Sequence, residues 1–324
     1  MNLIDVTREL GTEEECYAFL EKQRWPGGVR CAICGCSRIS RITRSNIIKR
    51  GDRAGQLSRN VRKNLYQCLE PTCQQQFSVT SGSIFHNSRI PLTKWFLAIE
   101  LIMEAKKGMS AMQLKRTLWG DNKGSYQSAW YMCHRIREAM SDGLFERSKM
   151  AGIVEMDESY IGGTKHGRKY QGRRDHKQCV VGIKQRNGEL RFFHSPDAKI
   201  ETLAKYIKEN VSENVEAIMT DELPAYPKAL RITGHDAAKH KTVNHSAAIY
   251  AMGDITTNGI ESAFGLFKRG VVGSFHKVSI KHLQRYLNEF QHRFNHRKSD
   301  NRFEDMVSRT GQTSPLPYRV LIAE

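Results

Sequence analysis

Two short apolar runs, each followed by an acidic residue, constrain the fold more than any other feature of this sequence. Residues 153–156 lead into Asp157, and residues 217–220 lead into Asp221. Runs of this length and composition predict β-strands, so both carboxylates are expected at strand ends. A third acidic residue, Glu261, stands near the start of a predicted helix. The pattern predicts a domain in which carboxylates from separate elements gather at one place.

The segments between these carboxylates complete an α/β pattern. Residues 179–183 and 190–193 predict two further strands, joined by the hairpin turn Asn187-Gly188. Residues 200–211 predict a helix, and residues 241–244 predict a fifth strand. Three consecutive strands followed by alternating helices and strands match the ribonuclease H-like fold, which has a mixed sheet. In that fold, carboxylates gather two metal ions for phosphodiester chemistry, and hard oxygen ligands favour Mg²⁺.

The charge balance predicts a polyanionic partner. The chain of 324 residues carries 51 Lys and Arg against 34 Asp and Glu, which gives a formal net charge of +17. Such an excess favours nucleic acid, because phosphates bind basic side chains with release of counterions. No apolar run approaches the roughly 20 residues that span a bilayer. The first residues also lack a signal-peptide pattern. We therefore expect a cytoplasmic protein with no membrane partner.

Two close cysteine pairs predict a structural zinc site. Cys31 and Cys34 form the first pair, and Cys68 and Cys73 form the second. Such pairs, separated by a loop, place four thiolates around a tetrahedral Zn²⁺. Cys36 is a weaker candidate because only Gly35 separates it from Cys34. Thiols stay reduced inside cells, so a disulfide framework is not expected.

A helical segment lies between the zinc site and the α/β domain. Apolar residues recur at three- and four-residue spacing over 95–103, 112–118 and 130–140, with glycine-containing turns between them. Three short helices favour a helix-turn-helix module whose last helix enters a DNA groove, and an all-helical spacer is the alternative. The predicted domains are residues 1–85 with the zinc ribbon, 86–148 with the helical module, 149–300 with the catalytic fold, and a C-terminal tail at 301–324.

Clusters of basic residues mark a predicted path for DNA. The insert 38–63 between the cysteine pairs holds nine Lys and Arg residues and one Asp. A second basic loop follows the first strand of the α/β domain. A solvated surface is the alternative interpretation of both. The side chains predicted to contact DNA are Arg135, Arg137, Lys165, Arg168, Lys169, Arg173, Arg174, Lys268, Arg269 and Arg285.

Several motifs in combination resemble a known family. They are Asp157-Glu158-Ser159-Tyr160-Ile161-Gly162-Gly163, Thr220-Asp221-Glu222, Asn258-Gly259-Ile260-Glu261 with Lys268-Arg269-Gly270, and the segment 282–290. The chain resembles bacterial insertion-sequence transposases that carry an N-terminal zinc ribbon and are related to the Merlin elements. The resemblance extends from Cys31 to about Arg297. It implies a DDE-type transposase.

The resemblance also implies site residues. Asp157 and Asp221 correspond to the first two metal ligands. Glu261 corresponds to the third, and Asn258 is its rival because part of the family uses asparagine there. Lys268 follows Glu261 by seven residues, so it shares a helix face with it and is implied to contact phosphate. The implied metal at this site is Mg²⁺ or Mn²⁺.

The implied reaction is cleavage of DNA at terminal inverted repeats, followed by transfer of the 3′-hydroxyl to target DNA. The implied partners are double-stranded DNA and further copies of the chain, in a homodimer or higher synaptic assembly. Two alternatives are a ribonuclease H-like nuclease without strand transfer and an inactive DNA-binding protein derived from a transposase. Thr256 and Gly259, beside the third ligand, differ from the family pattern.

Overall fold

The computed structural model describes residues 1–42, 51–52, 54–56, 64–141, 147–162, 177–243 and 256–323. No helix in these ranges is both long enough and apolar enough to cross a membrane. The chain divides into two compact units, whereas the sequence predicted four consecutive domains. The first unit comprises Met1–Met103, Ala111–Ala139 and Asp300–Ala323, and the second comprises chiefly Glu104–Ser110 and Met140–Ser299.

Three short strands lie in the N-terminal part of the first unit, after helices α1 (Leu3–Glu9) and α2 (Glu13–Arg24). Strands β1 (Ile39–Arg41), β2 (Leu65–Cys68) and β3 (Gln76–Ser78) form an antiparallel sheet in that order. Alternation along β2 buries Tyr66 and Cys68 on one side. The ring of Tyr66 stacks on that of Phe77, with centroids 5.6 Å apart. This contact packs the sheet beside the cysteines.

Helices from both ends of the chain build the core of the first unit. They are α3 (Leu92–Glu104), α4 (Ala111–Trp119), α5 (Tyr126–Ala139), α10 (Arg302–Gln312) and α11 (Tyr318–Ala323). The rings of Phe19, Phe96 and Phe303 lie 5.9–6.0 Å apart, so α2, α3 and α10 share one core. Phe303 and Leu321 are fully buried. Residues 302–323 therefore form two packed helices and not the predicted tail.

Helix α5 is buried along most of its length. Arg135 and Arg137 are 4% and 2% exposed. Arg135 donates to the carbonyl of His86 at 2.9 Å, and α10 covers the end of α5 through a bond from Arg309 to the carbonyl of Ala139 at 3.0 Å. A helix enclosed in this way cannot enter a DNA groove unless its neighbours detach. The structure thus contradicts the prediction of α5 as a recognition helix, with Arg135 and Arg137 as DNA contacts.

A five-stranded mixed sheet organises the described part of the second unit. Its strands are β4 (Ile153–Ile161), β5 (Gln178–Gln185), β6 (Leu190–Ser195), β7 (Ala217–Thr220) and β8 (His240–Thr242). Their order across the sheet is β6-β5-β4-β7-β8. Strand β4 is central, antiparallel to β5 and parallel to β7. This topology confirms the predicted α/β class and the ribonuclease H-like arrangement.

Alternation along β4 separates the two cores of the second unit. Val154 and Met156 face helices α6 (Ile200–Asn210) and α7 (Ala225–Ile232). Ile161 faces helices α8 (Asn258–Gly270) and α9 (Leu283–Asn295). Successive strand residues point to opposite faces of a sheet. Even-numbered residues of β4 therefore face α6 and α7, and odd-numbered residues, including Asp157, face α8.

Gly182 on β5 is paired with Asp157 on β4. Because Gly182 has no side chain, α8 can pack closely on the sheet at this point. A Cβ at this position would lie 2.7 Å from Ile260 and 2.9 Å from Phe264. Gly182→Ala should therefore destabilise the protein by about 1–3 kcal/mol, the usual effect of overpacking a core. Thermal unfolding measures the loss. Gly273→Ala is the matched control, because among the described residues no atom beyond its own neighbours in the chain lies within 4 Å of the added carbon. An equal loss in both variants would contradict the close-packing argument.

Candidate metal centre

The pairing of β4 with β7 places two predicted site residues side by side. The parallel register joins Glu155 to Met219. If this register is continued for two residues along both segments, Asp157 lies beside Asp221. Because both lie two residues beyond paired positions, they project to the same face of the sheet. The proximity of these carboxylates therefore follows from strand pairing.

Glu158 joins them in a cluster of three carboxylates. Among the described residues, Asp157, Glu158 and Asp221 each offer an oxygen, and these oxygens lie within 4.8 Å of one another. Alternation directs Glu158 to the opposite face, where the hydroxyl of Tyr226 donates to its Oε2 at 3.0 Å. Strand β7 ends at Thr220. Past this strand end, side chains from the two faces of the sheet can approach one another, and Glu158 can therefore reach Asp157 and Asp221. Sequence reasoning did not assign Glu158 to the site, and the adjacent Asp-Glu pair is the signal that could have found it.

Helix α8 carries the third predicted corner. Glu261 lies half-buried in its first turn and accepts a hydrogen bond from the hydroxyl of Thr257 at 2.5 Å. Its charge acts on Asp157, although its carboxylate is not part of the cluster of three. Asn258 is exposed at the start of α8, and Lys268 is exposed near its end. Glu261 thus stands beside the cluster, within electrostatic range of Asp157.

Burial and mutual repulsion control the protonation of the cluster. Burial first, and then the charges of Glu158 and Asp221, raise the pKa of Asp157 to about 8. Burial and the charge of Asp221 also raise the pKa of Glu158. The pKa of Tyr226 lies well above its ordinary value, because the ring is buried beside carboxylates. Its hydroxyl therefore remains a donor to Glu158.

The donor set of this cluster fits a hard divalent cation. All three side chains offer carboxylate oxygens, which are the ligands that Mg²⁺ and Mn²⁺ prefer. No His or Cys belongs to the cluster as far as the described ranges extend. A bound cation would offset the burial and the neighbouring charges that raise the pKa of Asp157. Chemistry and electrostatics therefore agree on a divalent metal site.

The four predicted cysteines form a separate cluster in the first unit. The sulfurs of Cys31 and Cys73 lie 3.8 Å apart, and those of Cys34 and Cys68 lie 3.6 Å apart. These separations suit four thiolates around one tetrahedral Zn²⁺. Burial opposes ionisation of Cys31, but hydrogen bonds from nearby backbone N–H groups outweigh it and lower the pKa of Cys31 to about 7. Cys36 lies outside the tetrad. The tetrad fits a structural zinc ion.

Comparison with known proteins places both clusters in recognised domains. Residues 149–295 match the ISXO2-like transposase domain, and residues 11–76 match the transposase zinc-ribbon domain. Two separate parts of this chain are thus similar to domains of transposases. The chain is also similar to an uncharacterized protein in the transposable element ISH50 of Halobacterium salinarum. That similarity is 24% identity over 295 residues, which cover 86% of this chain and 90% of the relative.

The remaining residues that were predicted to contact DNA differ in exposure and position. Lys268 and Arg269 are exposed in the last turns of α8, and Arg285 is half-buried on α9. Most of the basic insert 38–63 lies outside the described residues. The same holds for the second basic loop with its predicted contacts Lys165, Arg168, Lys169, Arg173 and Arg174.

Loss of a buried thiol of the cysteine tetrad should remove zinc from the protein. Cys68 is 1% exposed, so Cys68→Ser should lower the zinc content from about one ion per chain to nearly none and unfold the small sheet. Elemental analysis of purified protein measures the content. Cys36→Ser is the control and should keep its zinc. Equal zinc loss in Cys36→Ser would show that the ligand set is misassigned.

Metal binding at the acidic cluster should depend on pH. Asp157, whose pKa is about 8, must lose its proton before a cation binds. Apparent Mn²⁺ affinity should rise by about tenfold per pH unit below pH 7 and level off above pH 8. Isothermal titration in buffers of different ionisation heat should detect the released proton. Affinity that is flat between pH 6 and pH 8 would rule out this coupling.

The metal-free protein should lose stability as pH rises. The pKa of Asp157 is raised from 3.8 to about 8 on folding, so its ionisation in the folded state is disfavoured. The resulting destabilisation develops between these two pH values and is complete above the higher one. Asp157→Asn removes the charge, so it should raise Tm more at pH 8.5 than at pH 5. Thermal unfolding in excess chelator that leaves the zinc site loaded measures this difference, and a larger gain at pH 5 would contradict it.

Proposed function

We propose that this protein is a DNA transposase that cleaves the ends of its own element and transfers the freed 3′-hydroxyl to target DNA. The observation that carries the proposal is the cluster of Asp157, Glu158 and Asp221 on adjacent strands of a ribonuclease H-like sheet. The cluster lies within the residues that match the transposase domain.

We assign Asp157 and Asp221 as metal ligands, with Glu158 as a further ligand. Glu261 is our choice for the third corner, because its charge already acts on Asp157 and a carboxylate binds Mg²⁺ better than an amide does. Asn258 is the rival at that corner. Divalent ions held in this way supply an activated attacking oxygen and stabilise the leaving oxygen of a phosphodiester. The chain itself contributes positioning and charge, and no Ser or Cys nucleophile is required.

Basic side chains on α8 are suited to hold DNA at this site. Lys268 lies seven residues, or about two turns, after Glu261, so both project from one side of the helix. Lys268 and Arg269 are exposed and can reach phosphate. We propose that the zinc ribbon and the basic insert contact the terminal inverted repeats. Because two ends must be joined, we also propose a homodimer or a higher assembly.

Cleavage of end-containing DNA tests this function. Purified protein with Mg²⁺ or Mn²⁺ should nick linear DNA at its element ends and then join them to a target plasmid. Asp157→Ala and Asp221→Ala should each lower cleavage by roughly 10²–10³-fold or more. Electrophoretic separation of nicked and joined products provides the readout. Specific binding without nicking would favour an inactive DNA-binding protein, and nicking without joining would favour a nuclease.

Two substitutions test the third corner, and a further one tests the cluster of three carboxylates. Glu261→Gln should reduce cleavage strongly, whereas Asn258→Ala should have a smaller effect, because only Glu261 supplies a charged ligand. Glu158→Gln should weaken Mn²⁺ binding, since it removes one of the three clustered carboxylates. Cleavage rates measured over a range of Mn²⁺ concentrations separate metal binding from turnover. Full activity of Glu261→Gln would move the assignment to Asn258.

A further inference from the structure

We propose that Glu155 and Arg186 are positioning residues that hold the first turn of α8 at the acidic cluster. They would thereby set the third corner of the metal centre. The chemical role of that corner rests on the proposed function, whereas the positioning role rests on the contacts described below. Neither residue has a place in the ligand set assigned above.

Glu155 links β4 directly to the start of α8. It is 2% exposed and lies two residues before Asp157, on the same face of the strand. Its Oε2 accepts the backbone N–H of Ile260 at 2.9 Å. The first N–H groups of a helix lack partners within the helix, and negative charge there is favourable. The side chain of the N-cap residue Thr257 does not cap α8, so a buried carboxylate from the sheet supplies this bond.

Arg186 connects the three segments that carry the corner residues. Its Nε lies 3.3 Å from Oε1 of Glu155, on β4. Its Nη2 lies 3.1 Å from the sulfur of Met219, two residues before Asp221, and donates to the carbonyl of Thr256 at 3.2 Å. Thr256 leads into α8. One guanidinium therefore contacts both strands and the entry to the helix, each within a few residues of a corner.

Gly259 permits this close approach. A Cβ at that position would lie 2.5 Å from Oε2 of Glu155 and 3.0 Å from Nζ of Lys184. Lys184 pairs with Glu155 across β4 and β5, so two cations compensate the buried carboxylate. Any side chain at residue 259 would push the helix start away from the sheet. The departure of Gly259 from the family pattern thus has a structural reason here, because this chain docks α8 on a buried carboxylate.

The hydrogen bonds of Glu155 and Arg186 affect the position of the proposed metal ligands as well as the stability of the protein. They attach to the backbone of the turn that holds Asn258 and Glu261. A shift of that turn changes the distance of either side chain from Asp157, and catalytic geometry is sensitive to displacements of about 1 Å. Groups that orient metal ligands typically contribute roughly 10–100-fold to metal affinity or activity.

Hydrogen exchange and metal binding together test the proposal. Arg186→Met should speed amide exchange of residues 256–262 in the metal-free protein and weaken Mn²⁺ binding by roughly 10–100-fold. Arg186→Lys keeps the positive charge but loses the planar guanidinium that binds several partners at once. Its exchange rate at residues 256–262 and its Mn²⁺ affinity should therefore lie between those of Arg186→Met and the wild type. Glu155→Gln keeps the size of the side chain and one carbonyl oxygen. Glu155→Gln should also speed amide exchange in the first turn of α8. This variant replaces Arg186→Met in the test if Arg186→Met does not fold.

Arg191→Met is the matched control in the same unit. Arg191 is also 2% exposed and bridges a carbonyl and a carboxylate, 2.7 Å from Ser148 and 2.9 Å from Glu189. The Arg191→Met substitution should lower Tm without changing amide exchange at residues 256–262 or the affinity for Mn²⁺. Unchanged exchange in both Arg186→Met and Glu155→Gln would overturn the proposal. So would an equal change in Arg191→Met at equal loss of Tm.

These measurements need no DNA, so they separate the two proposals. If the wild type binds Mn²⁺ and the variants behave as expected, the positioning role stands even when no DNA is cleaved. In that case only the proposed function fails. If the wild type cleaves and joins DNA but the first turn of α8 is insensitive to both substitutions, the function stands and the positioning role is lost.

Discussion

The burial of carboxylates whose oxygens lie within 4.8 Å of one another is the constraint that the second unit must satisfy. Such groups separate in water, so the fold must hold them together. Strand β4 does so, because it is paired along its length with β5 and also pairs with β7. Cores on both faces of the sheet keep these strands in place. Burial first, and then the charges of Glu158 and Asp221, raise the pKa of Asp157 to about 8, which reflects the energetic cost of this arrangement.

Each face of the sheet fixes one part of the centre with a buried polar contact. On the face of α7, the hydroxyl of Tyr226 holds Glu158. On the face of α8, Glu155 holds the backbone of Ile260. The two anchors differ in chemistry because one orients a single side chain, whereas the other orients a whole helix turn. Under the proposed function, a site built in this way would be arranged before metal or DNA binds, which would reduce the reorganisation required during reaction.

Much of the plan was accessible from local patterns. The strands around Asp157 and Asp221 and the tetrad with Cys31 could be predicted, since each depends on short runs or spacings. Glu158 was missed because alternation alone places it on the opposite face from Asp157. Arg135 and Arg137 were misplaced for a related reason. Their burial depends on α10, which is distant in the sequence. The spacing of apolar residues within α5 cannot predict that a distant helix packs over it.

The sequence by itself determined the class of the fold, the resemblance to transposases, the spacing of the cysteine tetrad and the strands that lead into Asp157 and Asp221, because these depend on residue type and local spacing. Tertiary structure alone decided three other features. It joined both ends of the chain in one core, brought Glu158 into the cluster, and set the start of α8 on Glu155. Each depends on contacts between residues far apart in the chain. Such contacts are selected by packing and by the need to satisfy buried charge, which no short stretch of sequence records.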